Sequence, residues 1–169
     1  FHIQEERGIT EEELCTIVEE ATQDGGLDAS EGELIRSAIE FNDLDVEDVL
    51  TPRVDVVAVD EEDSREEILK TFQESRYSRL PVYRESIDNI IGVINFKDFY
   101  HHTDEPLEKL LKPAVYIAAS IKISQLLKRL QGTKNHMVIV ADDYGGTLGI
   151  VTLEDIIEEL VGEIWDEHD

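Results

Sequence analysis

The run Gly149-Ile150-Val151-Thr152-Leu153-Glu154-Asp155 sets a hydroxyl and a carboxylate three residues apart, where an apolar stretch gives way to a helical pattern. The plainest role for Thr152 and Asp155 is a capping box, in which each side chain accepts a hydrogen bond from the other residue's backbone N–H. The same device is written at Thr10/Glu13, Ser30/Glu33 and Ser64/Glu67. The surroundings add a chemical role. Gly149 lies in a strand pattern, where a missing side chain lets another group come close. The start of a helix exposes N–H groups to an anion. A carboxylate at that point suits a sugar instead, because it accepts hydrogen bonds from two vicinal hydroxyls, and Thr152 adds a third contact. A phosphate on such a sugar then needs positive charge from another part of the chain. The concentrated basic stretch is RYSRLPVYR (76–84), which carries Arg76, Arg79 and Arg84 and no acid.

The elements that must bring these two stretches together come as a repeat. IGVINFKDF (91–99) aligns with LGIVTLEDI (148–156) at an offset of 57, with Gly and Asp identical. Thr51-Pro52 aligns with Lys112-Pro113 at an offset of 61. Each half opens with a short helical turn, Val46–Leu50 and Leu107–Leu111. An extended apolar stretch follows each Pro, over Val54–Val59 and Ala114–Ala118. A helix comes next, burying Ile68, Leu69 and Phe72 in the first half and Leu126, Leu127 and Leu130 in the second. Two strands then flank a turn, at Asp88-Asn89 in the first half and over Asp142–Gly146 in the second, and a helix closes each half. The last helix reads as Leu153, Ile156, Ile157, Leu160, Val161 and Ile164 on its apolar side, with Glu154, Glu158, Glu159 and Glu163 on a solvated face. Two copies are too few for a solenoid or propeller. The expected fold is α/β: a duplicated strand–helix–strand–strand–helix unit with pseudo-two-fold symmetry and a cleft between the halves.

Residues 1–45 are different. Leu14, Ile17, Val18 and Ala21 mark one face of a helix that Asp24-Gly25-Gly26 stops. Leu34, Ile35, Ala38 and Ile39 mark a second, making an acidic helical hairpin. Residues 1–50 hold 16 acids and 2 basic residues of a chain whose net charge is −25. The hairpin carboxylates, Glu12, Glu13, Glu19 and Glu20 among them, offer weak positions for a divalent cation, against the commoner role of a solvated face. The domain reading is therefore 1–45 hairpin, 46–104 first repeat, and 105–169 second repeat with its C-terminal helix.

Composition narrows the function classes. Forty acids against 15 Lys and Arg argue against nonspecific nucleic-acid binding, which depends on neutralising phosphates. The single cysteine, Cys15, excludes an internal disulfide. No apolar run approaches the roughly 20 residues a bilayer span needs. No nucleophile–base pair, phosphate-binding Gly-rich loop or metal-ligand cluster is written in the chain, so a non-enzymatic role is expected. The first residue, Phe1, and the charged WDEHD at the end read as the edges of a piece of a longer protein.

The duplicated unit resembles a pair of CBS motifs, the Bateman module. Gly149–Asp155 matches that family's ribose-binding signature, Gly, two hydrophobic residues, Thr or Ser, two variable residues and Asp. DVLTPR (48–53), RYSRLPVY (76–83) and TLEDIIEELVGEIWDEHD (152–169) resemble more narrowly the cytosolic CBS pair of the CorC/cyclin M divalent-cation transport family, which includes hemolysin-related proteins. The resemblance implies a homodimeric regulatory module that binds an adenine nucleotide, ATP or else AMP or ADP, with Mg²⁺. In the parent protein a transmembrane domain that moves Mg²⁺ or Co²⁺ would precede it and a small C-terminal domain would follow, with the module at the cytoplasmic face of the membrane. Carried over by position, Thr152 and Asp155 hold the ribose. Arg79, Ser78 and Thr51 serve the phosphates, and Tyr77, Pro81 and Ile150 line the adenine. The first repeat departs from the signature: Asn95 stands for Thr before Asp98, and His136 stands at the position equivalent to Arg79, which implies a weaker second site at Asn95, Asp98 and His136. The competing expectation is a nucleotide-free dimerisation platform with the acidic hairpin as cation sensor.

Overall fold

The computed structural model describes residues 11–130, 133 and 135–159. Two helices, α1 (Glu11–Gln23) and α2 (Ala29–Asn42), form the hairpin. Gly25, at φ 87°, makes the turn after α1. The box that starts α2 is Asp28/Glu31 rather than Ser30/Glu33. Glu31 N–H donates to Asp28 Oδ1 at 2.8 Å and Asp28 N–H donates to Glu31 Oε1 at 3.2 Å. Both pairs have the right spacing; the earlier one wins because the helix is already under way at Ser30. On α1, Ile17 is half exposed, and on α2 Ala38 is exposed. Thr10, and the side chains of Leu14, Leu34, Ile35 and Ile39, lie outside the described residues.

The first repeat runs α3 (Val46–Val49), β1 (Thr51–Pro52), a 3-10 turn (Arg53–Asp55), β2 (Val59–Asp60), α4 (Arg65–Ser75), β3 (Arg79–Arg84), β4 (Ser86–Asn95) and α5 (Phe96–His101). The second runs α6 (Leu107–Leu110), β5 (Tyr116–Ala118), α7 (Ile123–Leu130), β6 (Met137–Ala141), β7 (Thr147–Thr152) and a helix α8 over 153–159. Ser64 caps α4 by the expected reciprocal box with Glu67. The strand–helix–strand–strand–helix unit is thus present twice.

Two expectations in the first repeat are corrected. Val54–Val59 is not one extended stretch: a 3-10 turn covers its start, Val54 is 87% exposed, and only Val59 joins a strand. The chain must turn there, because β1 and β2 belong to different sheets. The hairpin turn between β3 and β4 is at Glu85, at φ 71°, and not at Asp88-Asn89. Asp88 read as a turn signal, but its carboxylate accepts from Thr147 N–H at 3.0 Å and pairs with Arg53.

The sheets explain both. One is three-stranded, β2-β3-β4; the other is four-stranded, β1-β7-β6-β5. β1 comes from the first repeat yet pairs antiparallel with β7 of the second, Thr51 opposite Ile150 and Pro52 opposite Gly149. The second repeat reciprocates, since Lys112 and Val93 exchange backbone hydrogen bonds of 2.8 and 2.9 Å. The cores are exchanged as well. Val46 is fully buried among Ile117, Ile123, Leu126, Val138, Val151 and Ile156 of the second repeat. Leu110 is buried among Val59, Ile68, Phe72, Leu80 and Ile94 of the first. Ile90, Val93, Met137, Ile139 and Ile150 fill the space between the sheets. On α8, Ile156 is buried but Ile157 is 51% exposed; Leu160, Val161, Glu163 and Ile164 lie outside the described residues.

Candidate functional site

The residues at the end of β7 build one wall. Thr152 and Asp155 do form the capping box: Asp155 N–H donates to Thr152 Oγ1 at 3.0 Å, and Thr152 N–H donates to Asp155 Oδ2 at 3.1 Å. Both side chains are half-buried and both line a cleft. A carboxylate offers about four lone-pair positions, so one cap bond leaves it able to accept from a ligand. Thr51 reaches the same cleft because β1 lies against Ile150.

The opposite wall comes from the first repeat. α4 ends at Arg76, which takes the left-handed conformation at φ 63°. A non-glycine residue there costs on the order of 1 kcal/mol, and the turn it makes directs Tyr77, Ser78 and Arg79 into the cleft. Pro81 of β3 continues this wall. The cleft has a volume of about 310 Å³, at the lower end of the range of small-molecule sites. All eight residues assigned to the main site, Thr51, Tyr77, Ser78, Arg79, Pro81, Ile150, Thr152 and Asp155, line it.

Other lining residues were not expected. Val56, Val57 and Met137 extend the apolar surface, and Asp55, Glu154 and Glu158 bring charge. Glu154 and Glu158 read as a solvated face of the last helix. That face is exposed, but the cleft opens onto it, and Glu154 Oε2 lies 3.2 Å from Arg79 Nη1 across the two repeats. Arg79 also donates from Nη2 to His136 Nδ1 at 3.1 Å. A guanidinium has no acceptor, so Nδ1 must be the accepting nitrogen. The helical spacing of Glu154 and Glu158 was a visible signal, but nothing in one sequence says which partner the face meets.

Gly149 has a different job from the one its position suggested. What comes close to it is the chain's own backbone: a Cβ there would run into the Thr51 carbonyl. Arg84, counted with the basic stretch, is also diverted. It forms two bonds to Glu61, Nε to Oε2 at 2.6 Å and Nη2 to Oε1 at 3.2 Å, and this holds the Glu61 carboxyl below its usual range. The basic charge of the cleft is thus Arg76 and Arg79, set against Asp55, Glu154, Asp155 and Glu158.

None of Asn95, Asp98 and His136 lines this cleft. Asn95 caps α5 by accepting from Lys97 N–H at 2.9 Å and sits opposite Arg79 in the β3–β4 register. Asp98 lies 3.8 Å from Lys112 Nζ. His136 faces Arg79. In the hairpin, Glu19 pairs with Arg36, and Glu12, Glu13 and Glu20 are exposed. Among the described residues, no three His, Cys, Asp or Glu side chains come together in a way that could hold a metal ion. No described helix is long and apolar enough to cross a membrane.

The donor set suits a ligand with a flat apolar part, vicinal hydroxyls and an anionic tail. Val56, Pro81, Met137 and Ile150 offer surface to the first, Asp155 and Thr152 acceptors to the second, and Arg79 a cation to the third. The family model described as the CBS domain matches twice, at residues 46–105 and 108–162. The UPF0053 protein YugS of Bacillus subtilis (strain 168) is 39% identical over 165 residues, which is 95% of this chain and 38% of that protein. Across several such relatives the chain spans between 26% and 54% of their length. A solved structure of the CBS domain of the bacterial CNNM/CorC family Mg²⁺ transporter is 40% identical, with a TM-score of 0.80, covering 92% of this chain and 98% of that one. The same domain in complex with ATP is 43% identical, with a TM-score of 0.70, covering 77% and 96%. The repeat, the exchanged strands and these matches together place the chain in the CBS-domain family, as a tandem CBS pair of the CNNM/CorC type.

Proposed function

We propose that the cleft binds an adenine nucleotide, ATP with Mg²⁺ foremost, and that the module uses this binding to control an attached membrane domain that transports Mg²⁺ or Co²⁺. The observation that carries the reading is the convergence, from both repeats, of a carboxylate–hydroxyl pair and an arginine on one cleft with an apolar floor. Asp155 and Thr152 hold the ribose hydroxyls. Tyr77, Pro81 and Ile150 face the base. Arg79, with Ser78 and Thr51, meets the phosphates. The neighbouring carboxylates would repel a bare triphosphate, and a divalent cation bound with the nucleotide supplies the charge that offsets them.

The module acts by binding and not by catalysis. Arg79 reaches Glu154 across the repeats, so a phosphate that takes over Arg79 releases a contact between them. Differential affinity for the two arrangements is what shifts their populations. The longer relatives support further domains in the parent chain. In this reading the module is a homodimer at the cytosolic face of the membrane.

The test is calorimetric titration with ATP, with and without Mg²⁺, beside Asp155→Asn. Asn keeps the helix cap, since its amide oxygen still accepts from Thr152 N–H. Loss of a charged hydrogen-bond acceptor should weaken binding roughly tenfold to a hundredfold with an unchanged melting temperature. Equal binding by both proteins would sink the ribose assignment. A second reading has one observation in its favour: the main cation of the cleft already has Glu154 and His136 as partners. If no heat is seen at millimolar nucleotide, the pair is a nucleotide-free dimerisation platform.

A further inference from the structure

The chain from Arg53 to Ala58 runs between two hollows. Asp55, Val56 and Val57 line the first cleft, the one described above. On the other side lies a groove of about 410 Å³, with Arg53, Val54, Val56 and Ala58 along one edge and Tyr83 and Ile87 along the other. Val56 lines both, so this span alone separates them. β1 before it belongs to the four-stranded sheet and β2 after it to the three-stranded one. Residues 56–58 lie in no helix or strand, and none of residues 53–58 is buried. Val56 leans on the cluster between the sheets and Val57 on the first core. Apolar contacts of this kind are non-directional. They hold the span against the body of the protein without fixing where it stands along the cleft.

Arg53 supplies the directed contact. Its Nη1 donates to Asp88 Oδ1 and, at 3.5 Å, to the Thr147 carbonyl. The same Asp88 oxygen accepts from Thr147 N–H at 3.0 Å. Asp88 belongs to β4 of the first repeat and Thr147 to β7 of the second. The span and both sheets thus meet at one carboxylate. The guanidinium, and then the Thr147 N–H, hold that carboxyl below its usual range, which keeps it an anion at neutral pH. None of Arg53, Asp88 and Thr147 lines the first cleft.

We infer that Asp88 is a positioning residue for the nucleotide: through Arg53 it fixes the span that presents Thr51, Val56 and Val57 to the ligand. This rests on the first cleft being the nucleotide site. Asp88 touches no ligand, and its effect differs in kind from that of Arg79. Arg79 serves the phosphates alone. The span serves the base as well, so displacing it costs adenosine and ATP alike.

The experiment is calorimetric titration of the whole module with adenosine and with ATP and Mg²⁺, at a temperature where circular dichroism shows every variant folded. Asp88→Ala and Arg53→Met should each weaken both ligands by a similar factor, roughly threefold to fivefold, the size of a half-exposed ion pair. The double variant should lose no more than the worse single one, because both changes break the same contact. Asp88→Asn is the milder replacement if Asp88→Ala does not fold. Glu61→Gln breaks the pair with Arg84, away from the span, and should leave both affinities unchanged. Unchanged affinity in both single variants, additive losses in the double one, or an equal loss in Glu61→Gln overturns the inference. A second measurement needs no ligand. Methyl order parameters from nuclear magnetic resonance should fall at Val56 and Val57 in Asp88→Ala and hold at Val138 and Val140 of the second core. If the unaltered module binds neither ligand, the first-cleft reading fails on its own. The valine methyls then decide: a fall at Val56 and Val57 supports the hold by Asp88, and unchanged values overturn it.

Discussion

Arg79 is the side chain on which the electrostatics of the cleft turn. It sits between Glu154 and His136, with 23% of its side chain exposed. A phosphate must compete with Glu154 for it. Arg79→Ala should therefore weaken ATP binding by about tenfold or more while leaving adenosine binding nearly unchanged. Glu154→Gln should strengthen ATP binding severalfold, because it removes a competing anion. Titration of both variants with ATP and with adenosine checks this; equal losses for the two ligands would mean that Arg79 does not meet phosphate. A second residue-scale effect concerns acid. The Arg53 guanidinium, and then the Thr147 N–H, hold the Asp88 carboxyl below its ordinary value of 3.8. A carboxylate with a lowered folded-state value stabilises the fold above its unfolded value, and that stabilisation is lost as pH falls through the folded one. Denaturant melts should thus show Asp88→Asn and the unaltered module differing at neutral pH and converging below about pH 4.

At the level of elements, the strand exchange depends on two glycines. β1 can lie on β7 only because Gly149 has no Cβ to meet the Thr51 carbonyl, and the Lys112 bridge needs Gly92 in the same way. The two are not equally tight. The clash at 149 is the more severe, while at 92 the nearest atom would lie 2.8 Å away. Overpacking of this kind costs about 1–3 kcal/mol. Gly149→Ala should fall at or above the upper end and also weaken nucleotide binding, since it moves Thr51 away from the cleft. Gly92→Ala should cost less and leave the first cleft working. Urea melts and ATP titrations on both would show the ranking, and an equal loss of affinity would contradict it.

For the whole molecule, the exchange makes the two repeats depend on one another. Val46 is buried in the second core and Leu110 in the first. A chain cut between the repeats at 104–105 leaves each core without a residue that fills it, and removing such a side chain costs about 2–5 kcal/mol. The module should therefore unfold in a single transition by both near- and far-ultraviolet circular dichroism, and residues 105–169 expressed alone should not give a cooperative melt. Two separated transitions in the intact module would show that the exchanged contacts contribute little.

Local chemistry was legible in the chain and distant chemistry was not. The capping boxes at Ser64 and Thr152, the helices of both repeats and the duplication follow from spacing over a few residues, because hydrogen bonds and periodic burial act at that range. The eight residues assigned to the main cleft were reached through the repeat and the family resemblance, and the fold sets all of them along its walls. Glu154 and Glu158 were not, since an acidic helix face looks solvated until the other repeat is set against it. The turn at Glu85 was missed because Asp88 carries a turn residue's chemistry and spends it on Arg53 and Thr147. By itself the sequence determined that there are two copies of one unit, each with its own helices, strands and caps. Only the tertiary structure decided which copy each lead-in strand joins, what Gly149 and Gly92 make room for, and that Lys112 comes to Asp98. Those contacts join residues far apart in the chain, and their energies come from packing and charge that exist only after the sheets have met.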